Sequence, residues 1–394
     1  GAIAAVVDTA DEAMAIPQLV VPDTVQALAD LARFNRDLSD ARVVAVTGSS
    51  GKTTFKEMLS AMLSREGETL ATLGNLNNHI GAPLTLFRLA PKHRFAVIEL
   101  GASGVGEIAH TVAAAGPEVA VITNAGEAHL EGFGSYENIV QGKGEIIDGV
   151  TESGTVVLNR DDPAFATWKQ RAGSRRLVSV SARGDDAGYR CTGYEFDAGT
   201  YHIRVVTPEG CERSLTLNLP GEHNICNALL AAATAEAVGA QWSSVVAGLE
   251  AVKPAAGRLE RKTLSDRVAV IDDSYNANPT SMKAALDVLS REPSTRVAVL
   301  GGMAELGAEG TRMHREVGEH ARSAGIDQVL VVGTSDGCRA LVAGSGDHAN
   351  RFDSHQQAVE WLLANINGPM TVLVKGSRSS AMDQVVKMLQ EKVK

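Results

Sequence analysis

The segment Thr47-Gly48-Ser49-Ser50-Gly51-Lys52-Thr53-Thr54 stands between an aliphatic run, Val43 to Val46, and a helical pattern that extends to Glu66. A strand, a glycine turn and Lys-Thr at a helix start suit one task, holding the phosphates of a nucleotide. Glycines let successive backbone N–H groups converge on phosphate oxygens, the Lys52 ammonium supplies a point charge for the β and γ phosphates, and the Thr53 hydroxyl can ligate Mg2+. The first glycine of the full G-x-x-x-x-G-K-[ST] pattern is missing, since Val46 takes its place. A Gly-Lys-Thr in an ordinary loop is the plain alternative, and the flanking strand and helix argue against it. Glu99 ends a second aliphatic run at the carboxyl edge of a sheet, where open α/β folds place ligands. A carboxylate there suits a Mg2+ shared with the phosphates, or else caps the next turn. His129 follows a third run; a lone histidine is more often structural than a ligand. Lys143 reads on its own as a solvated helix lysine, and His223 with Asn224 as a helix cap. Lys375, Ser377 and Arg378 follow a late strand, where cationic groups suit a peptide carboxylate.

These residues need a frame, and the alternation of short apolar runs with helical patterns supplies it. Val43 to Val46, Phe95 to Glu99, Val119 to Thr123 and Thr155 to Asn159 read as buried parallel strands, with helices such as Thr53 to Glu66 and Gly106 to Ala115 as crossovers. From Tyr189 to Leu219 the period becomes two, which predicts an antiparallel excursion before a helix over 224–238. Lys253 to Gly257 reads as a linker. Beyond it, Val268 to Ile271, Arg296 to Leu300, Gln328 to Val332 and Thr371 to Val374 alternate with helices at 281–290, 313–324 and 358–364, a second doubly wound α/β unit. Ahead of both, Ile3 to Val7 and Gln18 to Val21 read as strands, and Thr24 to Asn35 as a helix with Asp23 as its N-cap. The boundaries follow as 1–40, 41–252 and 253–394.

Composition narrows the class. The chain has 394 residues, 44% hydrophobic and 21% charged, which excludes collagen-like, disulfide-scaffold and largely disordered proteins. Its net charge of -10 has the wrong sign for a nucleic-acid groove or an anionic membrane surface, and no positive cluster offsets it. Cys191, Cys211, Cys226 and Cys338 lack metal or redox spacing and read as free thiols of a reducing cytosol. No apolar run approaches a membrane span and no signal-peptide pattern opens the chain, so a cytoplasmic location is expected.

The shortened loop Thr-Gly-x-x-Gly-Lys-Thr-Thr resembles that of the Mur ligase and folylpolyglutamate synthetase superfamily, which joins an amino acid or peptide to a carboxylate using ATP. Gly74-Asn75-Leu76-Asn77-Asn78, Glu99 to Ser103, Gly132 to Ser135, Asp272 to Pro279, Gly302 to Gly307 and Val374 to Arg378 narrow the resemblance to the Mur ligases that add a dipeptide. It runs in order from about Gly1 to Val386. The resemblance implies a P-loop-containing central parallel-sheet domain, a C-terminal Rossmann-like α/β domain and, in residues 1–40, the remnant of an N-terminal domain that grips the uridine diphosphate end of the substrate. From that remnant one expects normal Mg-ATP binding and weak binding of the nucleotide sugar.

The implied substrates are ATP, UDP-N-acetylmuramoyl tripeptide and D-alanyl-D-alanine, with two Mg2+ sites and a monomeric enzyme. Gly48, Ser49, Ser50, Gly51, Lys52, Thr53 and Thr54 would cradle the phosphates. Asn124, His223, Asn224 and Asn227 would frame the nucleotide, and Asp273 would meet its ribose. Thr53, Glu99, His129 and Lys143 would hold the metals, Lys143 as a carbamate formed with CO2. Gly142 departs from the alanine common before that lysine. Arg258 would reach the γ-phosphate on domain closure, while Asn77, Asn78, Tyr275, Asn276, Asn278, Lys375, Ser377 and Arg378 would line the substrate cleft. Two other readings remain: a ligase of the same superfamily adding a single amino acid, and a P-loop nucleotide switch that does not ligate.

Overall fold

The computed structural model describes residues 1–393. The phosphate-loop strand, Arg42–Thr47, lies third from one edge of a nine-stranded sheet. Phe95–Glu99 and Val119–Ile122 flank it in parallel, Thr69–Ala71 closes one edge, and Thr155–Asn159 followed by Arg176–Ser181 continues the other. Alternate residues of Arg42–Thr47 enter different cores. Val44 and Val46 pack with Phe55, Met58 and Leu59 of the helix Lys52–Leu63, whereas Val43 and Ala45 pack with Ile108 and Val112 of the helix Glu107–Ala115. Both faces are therefore apolar, and the strand reads as an unbroken hydrophobic run. Burying each such valine contributes roughly 1.5–3 kcal/mol.

The expected excursion holds three strands, Tyr189–Asp197, Thr200–Val206 and Glu212–Leu217. The first extends the parallel sheet alongside Arg176–Ser181, and the next two turn back antiparallel. The C-terminal sheet has six strands in the order Glu260–Thr263, Val268–Asp273, Met370–Lys375, Thr295–Gly301, Gln328–Val332 and Ala349–Phe352, parallel except for the first. Its two faces carry their own cores, one around Leu286, Leu300 and Val317 and the other around Val270, Val372 and Leu389.

At the start of the chain, Ala5–Val7 and Gln18–Val20 pair in parallel as a two-stranded sheet. The helix Thr24–Asp37 is capped by Asp23, whose Oδ1 accepts from the Val25 and Gln26 N–H groups at 2.8 and 3.1 Å. Its Ala29 and Ala32 enter the core beneath the central sheet, so the helix packs with the nucleotide domain. All four cysteines are free thiols. Among the described residues no helix is long and apolar enough to cross a membrane.

Candidate functional site

The phosphate loop is shaped from beneath by the next strand end. Thr123 Oγ1 donates to the Ser50 carbonyl at 2.7 Å, Asn124 Oδ1 accepts from the Ser50 N–H at 3.0 Å, and the Asn124 carbonyl accepts from the Ser49 N–H at 3.0 Å. The Asn124 side chain thus shapes the loop from beneath. A Cβ at Gly48 would lie 2.0 Å from Thr123 Oγ1, so this turn closes only with glycine. Gly51 adopts φ +80° at the start of the helix, and a Cβ there would meet Asn227 Oδ1 at 2.6 Å. Asn227 in turn donates to Asn224 Oδ1 at 2.9 Å, so the helix His223–Ala237 is braced against the loop.

Lys52 folds back on the loop and donates to the Gly48 carbonyl at 2.6 Å. Burial depresses its pKa, as does Arg258, against the pull of Glu99. Thr53 Oγ1 donates to Glu99 Oε2 at 3.0 Å, while Asn77 Nδ2 donates to Glu99 Oε1 at 2.8 Å. Hydroxyl and carboxylate oxygens so placed fit a Mg2+ completed by waters and phosphate oxygens. Among the described residues no group of three or more His, Cys, Asp or Glu comes together to hold an ion by itself. A magnesium here would depend on the nucleotide.

Lys143 lies on the helix Tyr136–Asp148 and is 1% exposed, not solvated as its sequence context alone suggests. Its Nζ donates to the Ala102 carbonyl at 3.2 Å and sits 5.0 Å from the Phe133 ring centroid. Burial, followed by the charge of Lys52, lowers its pKa to about 7 against Glu107 and Glu145. Gly142 has a local reason: a Cβ there would lie 2.7 Å from Phe133 Cε1, in the ring that packs on Lys143. His129 caps the short helix Leu130–Phe133 with φ +59°, and its Nδ1 meets a carboxylate oxygen of Glu305 from the C-terminal domain. Burial lowers the imidazole pKa, Glu305 opposes this, and Lys52 and Lys143 reinforce it.

Across the cleft, Arg258 and Arg378 lie 4.4 and 5.8 Å from the ring centroid of Tyr275. Neither guanidinium is ion-paired among the described residues, so both remain available to anionic ligands. Lys375 differs from the expectation of a free cation: it is 3% exposed, pairs with Asp273 Oδ2 at 2.6 Å and donates to the Asn276 carbonyl at 2.9 Å. Asp273 Oδ1 accepts from the Leu259 N–H at 3.1 Å, which ties the linker to the strand end. Asn78 Oδ1 accepts from the Gly81 N–H at 2.8 Å, and Asn278 caps the helix Pro279–Ser290 in a reciprocal box with Ser281. Those two oxygens are spent on helix starts. Ser377 Oγ engages Ser379 and Ser380, each at 3.0 Å, and the Asn276 side chain accepts from the Arg378 N–H.

Lys52, Glu99, His129, Arg258 and Asp273 all line one cleft of about 1260 Å³ between the two domains, and Tyr275, Asn276 and Arg378 line it too. Lys143 lies behind its wall. The cleft also holds Glu305 and Asp162, neither of which the sequence singled out. Glu305 lay inside the Gly302 to Gly307 string, but its left-handed backbone, φ +61°, is not legible in a one-dimensional pattern. Asp162 Oδ2 accepts from the Ala125 N–H at 2.8 Å and buttresses the turn toward His129.

A parallel-sheet domain with this phosphate loop, a second α/β domain facing it and a ligand cleft between them define a two-domain nucleotide-dependent ligase fold. The Mur ligase middle domain matches residues 46–235, and the Mur ligase glutamate ligase domain matches residues 257–378. The chain belongs to the Mur ligase family. It is 46% identical over 376 residues to the UDP-N-acetylmuramoyl-tripeptide–D-alanyl-D-alanine ligase of Escherichia coli strain K12, covering 95% of this chain and 83% of that protein. The crystal structure of MurF from Acinetobacter baumannii superposes with a TM-score of 0.93 at 36% identity, over 98% of this chain and 84% of that one. MurF from Thermotoga maritima, in complex with ADP, gives 0.89 at 27% identity, over 100% and 89%.

Proposed function

We propose that the chain joins D-alanyl-D-alanine to UDP-N-acetylmuramoyl tripeptide at the expense of ATP, in the cytoplasm and as a monomer. The observation that carries this reading is the Thr53–Glu99 oxygen pair beneath the phosphate loop, faced across the cleft by the unpaired guanidinium of Arg258. Lys52 and the loop N–H groups grip the phosphates and disperse charge on the transferring group. The tripeptide carboxylate attacks the γ-phosphorus, giving an acyl phosphate and ADP; Arg258 supplies a cation as that charge shifts. The dipeptide amine, its lone pair free, then adds to the acyl carbon, loses a proton, and inorganic phosphate leaves as the amide forms. Magnesium at two sites would neutralise phosphate charge, with Thr53 and Glu99 as donors at one and His129 with a Lys143 carbamate at the other.

His223, Asn224 and Asn227 would frame the adenine. Tyr275, Asn276, Ser377 and Arg378 would hold the peptide end of the substrate, with Arg378 rather than Lys375 as the exposed cation. The test is phosphate release over a panel of UDP-muramoyl peptides and dipeptides. Strict dependence on both a carboxylate acceptor and an amine is expected; hydrolysis with neither would mark a nucleotide switch, and single amino acids as preferred acceptors would mark a different ligase.

A further inference from the structure

One polar meeting of the two domains at the cleft is the contact between His129 and Glu305. Three observations make it a built contact. Both residues are non-glycine and both adopt positive φ, 59° for His129 and 61° for Glu305, a conformation that costs free energy and persists where the surroundings enforce it. The Glu131 N–H donates to the Glu305 carbonyl at 3.1 Å, so the backbone beside His129 holds the backbone of Glu305 as well. Between them Leu130 packs against the core of the nucleotide domain and against that of the C-terminal domain. Residues 129–131 and 305 thus form one junction, from which His129 and Glu305 line the cleft.

We infer that Glu305 is a positioning residue that reaches across the cleft to fix the tautomer and aim of His129, so that seating of the C-terminal domain completes the metal-side wall. A carboxylate only accepts hydrogen bonds, so the Nδ1 that meets Glu305 carries the hydrogen and the lone pair of a neutral ring falls on Nε2. That nitrogen makes no hydrogen bond among the described residues, and it alone is left to serve as a donor atom on a side chain that lines the cleft. Histidines that ligate metals are oriented in this way by a carboxylate on the opposite ring nitrogen. Here the carboxylate comes from the other domain, so the site is complete only when the domains are seated. The inference rests on the reading of His129 as a metal-side residue.

The experiment uses the full chain with nitrogen-15-labelled histidine and the variants Glu305→Ala, Glu305→Gln and His129→Ala, the last also assigning the His129 signals. In the ligand-free protein the His129 ring is expected in the Nδ1–H form, to lose that preference in Glu305→Ala and to keep it in Glu305→Gln, whose amide oxygen still accepts. In phosphate release, Glu305→Ala is expected to lower kcat by about ten-fold or more, with the KM for ATP nearly unchanged and most of the loss restored in Glu305→Gln. The Glu305→Ala/His129→Ala double variant should be no slower than His129→Ala. An unchanged tautomer in Glu305→Ala, or additive losses in the double variant, overturns the inference. A chain that ligates nothing would sink the proposed reaction, and the ring signals would still decide the role of Glu305.

Discussion

Lys143 shows how far one side chain can depart from its sequence context. The string Gln141-Gly142-Lys143-Gly144 reads as a polar stretch of helix, yet Phe133 and the Ala102 carbonyl enclose the ammonium. Its pKa of about 7 follows from burial and the charge of Lys52. Only a neutral amine adds CO2, so the sign is fixed: the reactive fraction grows as pH rises through 7 and is lost below it. With carbon-13 bicarbonate, a carbamate signal is expected that strengthens from about pH 6 to 8 and is missing in Lys143→Ala; a signal flat with pH would contradict the assignment. Turnover gives a second check. Lys52→Ala should abolish phosphate release with no rescue, because nothing small replaces a lysine anchored in the loop. Lys143→Ala should be severe but partly restored by formate or acetate, whose oxygens stand in for those of the carbamate. The placement of Lys52 and Thr53 at a helix start and of Glu99 at a strand end was legible because glycine spacing and local aliphatic runs encode it. The Glu305 contact was not, since it joins positions 176 residues apart.

At the scale of elements, legibility followed hydrophobic continuity. Gln328–Val332 and Phe95–Glu99 were read at their true ends, being unbroken aliphatic runs. Arg176–Ser181 escaped notice because serines interrupt it, and the helix Asp336–Ser345 because Gly337 and Gly344 lower its propensity. Both glycines are needed there: a Cβ at Gly344 would meet the Arg315 carbonyl at 2.2 Å, and one at Gly337 would meet the His314 ring at 2.7 Å. Caps were ambiguous in a different way, since an asparagine at a strand-to-helix turn can serve a ligand or the helix. Asn278 accepts from the Ser281 N–H at 2.8 Å and its own N–H donates to Ser281 Oγ at 3.0 Å. Asn278→Ala should therefore cost about 1 kcal/mol in denaturant unfolding. If the cap is its whole role, the KM for the dipeptide stays as in the wild type; a rise in KM without further loss of stability would restore Asn278 to the substrate wall.

For the whole molecule, the decisive feature is that each domain owns its cores while the cleft belongs to both. Among the described residues two polar junctions span the gap, His129 with Glu305 and Arg291 with Glu222, the latter at 2.5 Å between half-exposed side chains. An exposed pair of that kind contributes under about 1 kcal/mol, so it biases the arrangement without locking it. The chain between the domains has one position where backbone freedom matters. Gly257 adopts φ +68°, its carbonyl accepts from the Tyr275 N–H at 3.1 Å, and a Cβ there would lie 3.3 Å from that same nitrogen. Arg258 and the Leu259–Asp273 bond follow directly, so any shift at 257 moves the arginine proposed above to serve the phosphates. Gly257→Ala is expected to destabilise the linker by roughly 1–2 kcal/mol, the cost of a left-handed alanine. The phosphate loop, far along the chain and on the other domain, is untouched, so calorimetric titration should show ATP bound with wild-type affinity. What should suffer is the seating of Arg258, and with it kcat and the KM of the peptide substrates together, as for a hinge. A variant that loses ATP affinity while keeping kcat would place the effect in the nucleotide domain and refute the hinge.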